Sequence, residues 1–453
     1  MSRPSLPDAE VALAVFTRDL RVRDNPVLTG ALDGAGAVVP CFVFDDAMGA
    51  TAHAAPNRAG FLVESLAALD RALRDRGAAL VVRRGDWVVE VLRLAHACGA
   101  RTVHVARDVS GYAQRRLGRL RAEAARAGVA VRTHESLTVV PPGELRAGGG
   151  GPYLVFTPYF RRWSARPWRP VLPAPRRVPM PPGVAPGRLP PVPGGRAPGA
   201  VPGGEDEGLA RLRAWNRAHL ADYGGSGHDD LAGDRTSRVS PYLHLGCLSP
   251  LEVATRLRDR PGGAPFVRQL CWRDFYAQLL AARPEVARDD VRAGAPRWRD
   301  DDAAFAAWCA GRTGYPLVDA GMRQLLAEGW MHNRARMVVA SFLTKDLMID
   351  WRRGAAHFMA HLLDGDVASN QLNWQWVAGT GTDTNPHRVY NPTVQARRFD
   401  PGGAYVRRYV DELAGVAGDV HDPPPAVRAA TGYPDPIVDH HEAIERWRAA
   451  RRR

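Results

Sequence analysis

The sequence predicts an α/β N-terminal domain built on a doubly wound parallel sheet, followed by a large all-α domain, with a long Pro/Gly-rich connector between them. Three observations carry this. Apolar runs alternate with helical patterns up to about residue 135, proline and glycine crowd residues 141–205, and the spacing from about 206 onward is helical. The predicted units are 1–135, a connector at 136–205, and 206–453.

In the first unit, VALAVF (11–16), AVVPCFVF (37–44), AALVVR (78–83), TVHVA (102–106) and VAVRT (129–133) are near-continuous apolar runs. Such runs read as strands buried on both faces, as in a Rossmann-like sheet. Between them, AGFLVESLAALDRALRDRG spaces Leu62, Leu66, Leu69 and Leu73 three or four apart, and Gly77 closes that helix. A parallel sheet of this kind takes ligands at the C-terminal ends of its strands. No GxGxxG follows the first strand. TRDLRVRDNP stands there instead, which disfavours an ordinary dinucleotide dehydrogenase.

The connector holds PPGELRAGGGG and VLPAPRRVPMPPGVAPGRLPPVPGGRAPGAVPGG, which favour extended backbone. YLVFTPYFRRW (153–163) interrupts it as a segment that can dock on a surface. Beyond it, DEGLARLRAWNRAHL, SPLEVATRLRDR, FVRQLCWRDFYAQLLAAR, LVDAGMRQLLAEGWMHNRARMVVASFLTKDL and GAAHFMAHLLDG carry apolar residues at helical spacing, without a detectable repeat.

The chain has 453 residues and is 45% hydrophobic, enough for two or three packed domains. Its formal charge is +13, and Lys345 is its only lysine, so nearly all the positive charge is arginine. A basic excess suits a polyanionic partner through counterion release. A solvated basic surface on an enzyme accounts for the charge equally well. Cys41, Cys98, Cys247, Cys271 and Cys309 contain no CxxC pair, which excludes the common zinc and redox motifs and fits reduced thiols. The N-terminus shows no signal-peptide pattern, and no apolar segment reaches membrane-spanning length. A monomeric cytoplasmic protein with no membrane partner is expected.

Several chemistries drop out. No GxxxxGK precedes Lys345, and GGSGH (224–228) fails GxSxG at its last position. His357 and His361 sit at i, i+4 but lack the glutamate of HExxH. Asp229, Asp230 and Asp234 read as a solvated loop rather than a cation site, so no metal is expected. Three stretches stand out. In GDRTSRVSPYLHLGCLSP (233–250), Thr236, Ser237, Arg238 and Ser240 crowd hydroxyls and a guanidinium before a helix, a place for phosphate; a plain N-cap at Ser240, followed by Pro241, is the alternative. In RQLCWRDFYAQLL (268–280), Gln269, Trp272, Arg273 and Tyr276 share one helical face able to stack on and hydrogen-bond a base, unless Trp272 simply packs into the core. In GWMHNRARMVV (329–339), Asn333, Arg336 and Met337 lie on one side of an apolar helix. Buried polar groups need partners, and Arg336 is placed to pair with an acid of DGD (364–366).

These stretches, in this order and followed by DGDVASNQLNWQWVAGTGTDTNPHRVYNP, resemble the photolyase/cryptochrome family, most strongly class I cyclobutane pyrimidine dimer photolyases. FTRDLRVRDNP matches the start of that family's antenna domain, and TGYPLVDAGMRQL through SFLTKDLMIDWRRG its flavin domain, so the resemblance spans essentially the whole chain. It implies FAD folded into the helical domain, with its phosphates at Thr236, Ser237, Arg238 and Ser240, and Tyr223, Val239 and Phe266 nearby. It also implies Asp364, Gly365 and Asp366 along the flavin, Asp364 paired to Arg336, and Asn370 facing flavin N5. Trp298, Trp351 and Trp374 match the chain of tryptophans that photoreduces FAD. Gln269, Trp272, Arg273, Tyr276, Asn333, Met337 and Trp376 match the lesion pocket, with Arg334 and Gln395 near the DNA strand. The implied partner is UV-damaged DNA with the lesion flipped out.

Two departures bear on specificity. Position 269 is often glutamate in class I enzymes, whereas Gln269 occurs in the branch that repairs (6-4) photoproducts and in animal cryptochromes; an amide donates as well as accepts. Asn333 points the other way, because the (6-4) branch has histidine there. The expectation is cyclobutane-dimer repair, with a (6-4) photolyase or a cryptochrome-like photoreceptor as alternatives. The short end after YVDELAGV, closing in RWRAARRR, speaks against a photoreceptor. The glutamate that marks a folate antenna has no match in VARDVSGYAQRR. An 8-hydroxy-deazaflavin antenna is therefore preferred, with methenyltetrahydrofolate as the alternative.

Overall fold

The computed structural model describes residues 10–49, 51, 54–293 and 297–451. Most of the N-terminal stretch without a signal pattern and the last two arginines of RWRAARRR lie outside them. The first unit runs β1 (Val11–Val15), α1 (Pro26–Gly34), β2 (Ala37–Asp45), α2 (Pro56–Arg74), β3 (Val81–Gly85), α3 (Trp87–Ala97), β4 (Ala100–Ala106), α4 (Gly111–Arg126) and β5 (Ala130–His134). All strand pairs are parallel, in the order β3-β2-β1-β4-β5, as the alternating runs predicted. Strand β3 starts later than the apolar run AALVVR because its first donors are taken locally. The Ala78 N–H goes to Leu73 O, and that of Leu80 to Asp70 Oδ1 at 2.8 Å.

The strand order reverses between β1 and β4, which opens a crevice at the strands' C-terminal ends. TRDLRVRDNP leaves β1 there and forms a plug against the helical unit instead of a phosphate cradle. The Leu20 N–H donates to Leu245 O at 3.1 Å, and Arg21 Nη1 to Gly246 O at 2.9 Å. Arg23 pairs with Glu252, and Glu205 accepts from the Val22 and Arg23 N–H groups. Gly246 is required at this contact: it has φ +67, and a Cβ there would stand 1.9 Å from Arg18 O.

The connector is not simply extended. Its docking segment forms α5 (Phe156–Ala165), which buries Phe156, Tyr159 and Trp163. Buried Asp274 fixes it by accepting from Trp163 Nε1 and from the Val139 and Val140 N–H groups, each at 2.9 Å. Farther on, Pro186 O accepts from Val82 of β3 at 2.6 Å and Pro179 O from Val38 of β2 at 2.8 Å. Proline carbonyls thus satisfy strand donors that no neighbouring strand takes, while offering no N–H for further pairing.

The helical unit contains α6 (Glu205–His219), α7 (Gly263–Ala282), α8 (Pro316–Glu328), α9 (Asn333–Ser341), α10 (Trp351–His361), α11 (Val367–Ala378) and α12 (His440–Arg451), among shorter helices. Among the described residues no strand follows His134. One apolar core runs from a sheet face through Phe156, Tyr159 and Trp163 to α7, a second lies within the helical unit, and a third covers the other sheet face. Among the described residues no helix is long and apolar enough to cross a membrane.

Candidate flavin and DNA-lesion site

The hydroxyl-rich loop and the DGD segment meet, and Arg336 of α9 finds there the acid its position suggested. Arg336 makes two hydrogen bonds to Asp364, at 3.2 and 2.9 Å. Ser240 Oγ donates to the same carboxylate at 2.6 Å, so the plain N-cap, the alternative reading of Ser240, does not form. The cap position of the short helix Ser240–His244 belongs to Val239, which has no capping side chain. Thr236 Oγ1 is buried without a protein partner beside buried Ser237. A buried hydroxyl with no partner is costly, and a ligand phosphate or ribose would satisfy it, so this loop fits FAD.

Arg238, expected at the phosphates, has protein partners of its own. It sits at φ +48, holds Asp234 at 2.7 Å and Glu328 at 2.8 Å, and lies 4.3 Å over the Trp330 ring. Burial opposes its charge, but the two acids outweigh burial and raise its pKa. Tyr223 and Phe266 form an aromatic cluster with Trp215, with ring centroids 4.7–5.5 Å apart.

Asp366, expected along the flavin, also has protein partners. It caps α11 by accepting from the Ser369 N–H at 2.8 Å, and its other oxygen takes Arg18 of the α/β unit at 2.5 Å. Arg18 also pairs with Asp108 at 3.3 Å. Burial works against ionising Asp366, yet Arg18 and Arg273 hold its carboxyl well below the usual range. Burial and Arg18 push His244, beside it, far below the ordinary imidazole value. The sequence reading missed Arg18; the only signal was the density of charge in TRDLRVRDNP.

Asn370 is nearly buried, and its amide has a fixed sense. Nδ2 donates to Ala355 O at 3.0 Å and to Gln371 Oε1 at 2.9 Å, which leaves Oδ1 to accept. On the same helix Trp374 is buried edge-on against Phe358 (5.0 Å) and Trp308 (6.0 Å). Trp308, fully buried with Nε1 on Val339 O, had no sequence signal separating it from core. Trp351 is buried with Nε1 on Asp290 at 2.8 Å, and Trp298 is half-buried.

On the expected lesion side, Trp272 is half-buried and stacks face to face on Phe156 of α5, with centroids 3.7 Å apart and planes 3° apart. Phe156 was predicted only as part of a docking segment. Gln269 and Asn333 are exposed, Met337 and Trp376 half-buried, and Gln395 Oε1 is buried without a protein partner. Two members of the expected face turn elsewhere. Arg273 reaches Leu137 O and Leu243 O at the unit boundary, and buried Tyr276 donates to Asn373 at 3.1 Å. Arg334 makes two hydrogen bonds to Asp229, at 3.1 and 2.7 Å, over the Phe399 ring, so Asp229 serves a salt bridge. The His357 and His361 rings lie 4.6 Å apart, and no group of three metal-ligating residues occurs among the described residues.

A cavity of about 1640 Å³ opens at the C-terminal ends of β1 to β4, lined by Phe42, Phe44, Trp87 and Tyr112 and extending to Gly365, Val367 and Gln371. Arg116 lies 4.2 Å over the Trp87 ring and pairs with Asp45.

Comparison with known proteins agrees with this architecture. Family models described as DNA photolyase and as the FAD binding domain of DNA photolyase match residues 12–180 and 266–453. The deoxyribodipyrimidine photo-lyase of Streptomyces griseus is 52% identical, over 97% of this chain and 99% of its own. The crystal structure of a bacterial class III photolyase from Agrobacterium tumefaciens superposes with a TM-score of 0.91 at 35% identity, covering 99% of this chain and 98% of that one. An archaeal photolyase from Sulfolobus tokodaii, solved with two FAD molecules, gives 0.84 at 29% identity, over 98% and 99%. The chain belongs to the DNA photolyase family, flavoenzymes that repair DNA with light. Its activity is that of the deoxyribodipyrimidine photo-lyases, the splitting of pyrimidine dimers in DNA with FAD as cofactor.

Proposed function

We propose that FAD is held between the 236–240 loop and the 364–370 segment, and that the flipped-out cyclobutane dimer is held against Trp272 and Trp376. The observation that carries this reading is the fixed amide of Asn370, whose free Oδ1 can accept from flavin N5–H. Thr236, Ser237 and Ser240 bind the phosphate side, and Asp364, locked by Arg336, presents a polar edge. FAD, when bound and reduced, would supply a photoexcited electron that opens the cyclobutane ring and would take it back once the two pyrimidines separate. Trp374, Trp351 and Trp298 supply electrons inward to the flavin. Trp272, Trp376 and Met337 exclude water from the dimer, and Gln269 and Asn333 offer amides to its carbonyls and N–H groups. Basic residues bind phosphates without reading sequence.

The sheet cavity suits a planar tricyclic pigment, and 8-hydroxy-deazaflavin is the reading we favour over a folate: its walls are aromatic, and Arg116 stands over one of them. Reconstitution with each pigment, followed by energy transfer to FAD, separates the two. The units divide near residues 135 and 205, supported by the end of β5 and the start of α6. A monomer working in the cytoplasm completes the proposal, and light scattering on the DNA-free protein checks the monomer. The deciding assay gives flavin-loaded protein an oligonucleotide carrying either a cyclobutane dimer or a (6-4) photoproduct, under blue light with a reductant. Loss of the cyclobutane dimer alone is expected. Its persistence at full flavin loading would overturn the assignment.

A further inference from the structure

The only lysine of the chain is almost wholly buried behind the lesion side, where no step described so far uses it. Lys345 Nζ donates to Arg388 O and lies 5.0 Å from the ring centroid of Trp447 on α12. Arg388 turns its guanidinium 5.0 Å over the ring of Trp376. The segment between α11 and Arg388 is tied to the body at further points. Arg451 of α12 reaches Gly379 O at 3.4 Å, Arg292 holds Asp383 O at 2.7 Å, and His387 packs on Trp447. An ammonium is expensive to bury, so one placed at a backbone carbonyl and an indole face marks a joint whose geometry matters.

We propose that Lys345 is a positioning residue for damaged DNA: by fixing the Arg388 carbonyl against α12, it sets the Arg388 guanidinium over Trp376 and so shapes the lesion-facing wall. The inference rests on the reading of Trp376 as that wall. It also makes engagement of DNA depend on the charge of a single amine. Burial pushes that amine down to about 7, with Asp383 and Asp346 opposing the shift and Arg451 and Arg388 adding to it. His440 of α12 faces the same group through its pair with Asp346. Raising the pH through this value replaces a charged donor by a neutral one and removes the cation–π contact.

The test uses full-length, FAD-loaded protein and a dimer-bearing oligonucleotide bound in the dark between about pH 6 and 9, bracketing the amine's titration. With one lysine in the chain, a single labelled 13Cε signal reads its protonation directly. Lys345→Met and Arg388→Gln should weaken binding roughly 2- to 5-fold, the scale of an exposed cation–π contact. The repair rate of bound substrate should stay unchanged. Wild-type affinity should fall as the lysine signal titrates, and Lys345→Met should lack that step. Wild-type affinity in Lys345→Met, or a loss confined to the repair rate at saturation, overturns the proposal. Trp376→Ala separates the two readings. Normal binding there removes the wall, and the inference with it, whereas weak binding there with normal Lys345→Met sinks the inference alone. If Lys345→Met does not load FAD, Arg388→Gln decides, because its side chain is 42% exposed, and its glutamine amide can still donate towards Asp383, its 3.7 Å partner; normal affinity there is fatal to the proposal.

Discussion

At the scale of single residues, the proposed function divides two roles between neighbours on α11, electron supply at Trp374 and the lesion wall at Trp376. Trp374→Phe is expected to block photoreduction of oxidised FAD while chemically reduced protein still repairs; transient absorption and a repair assay read the two separately. Trp272→Ala should weaken binding of damaged DNA by about 1–3 kcal/mol, the range for base–aromatic stacking, as measured by titration of a dimer-bearing duplex. His332 gives a pH test. Its Nδ1 accepts from the Arg334 N–H, its Nε2 is buried without a protein partner, and burial pushes its pKa down to about 4. Between the ordinary imidazole value and about 4, the unfolded chain binds a proton that the fold does not, so His332 lowers stability as pH falls through that window. His332→Asn keeps an acceptor for the cap and should flatten the fall by up to about 1.4 kcal/mol per pH unit, read from denaturant midpoints. The Arg336–Asp364 pair was legible because a polar face on an apolar helix demands a partner. One partner of Arg238 was not: Asp234 is four residues away, but Glu328 lies far off in sequence, and only the fold brings it near.

At the scale of elements, α10 and α11 approach so closely that one glycine decides their spacing. A Cβ on Gly354 would stand 2.3 Å from Trp374 Cη2 and 2.6 Å from Leu343 Cδ2. Gly354→Ala should cost about 1–3 kcal/mol by overpacking and slow FAD photoreduction by displacing the Trp374 indole. Unchanged photoreduction would mean that the helices yield and the indole does not. The five strands were readable because strands buried on both faces leave continuous apolar runs, which hairpins and surface helices do not. The start of β3 was not, because Asp70 and Leu73 compete for its first donors. The connector's composition announced extended backbone, and its aromatic interruption announced docking. That the docked helix would lay Phe156 flat on Trp272 depends on a tertiary placement with no local trace.

For the whole molecule, the arginine excess suits a duplex partner, so affinity for undamaged DNA should fall steeply with salt. The two units are joined by charge as well as by apolar packing. The side chains of Arg18 and Asp366 are 20% and 12% exposed, and removing one member of such a pair strands the other. Arg18→Gln should therefore cost about 3–5 kcal/mol in chemical unfolding; a loss near zero would show that water reaches the pair. The sequence announced two units and a link, yet not that TRDLRVRDNP is the link's lock, because motif reading asked only whether it could cradle a phosphate. The Arg18–Asp366 bond has one more consequence. Asp366 caps the helix that carries Asn370, Trp374 and Trp376, so the orientation of that helix is partly set by the α/β unit. The α/β unit in this sense helps to mould the helical one. Removing the α/β unit would therefore free the N-terminus of that helix from its anchor, whatever the sheet cavity holds.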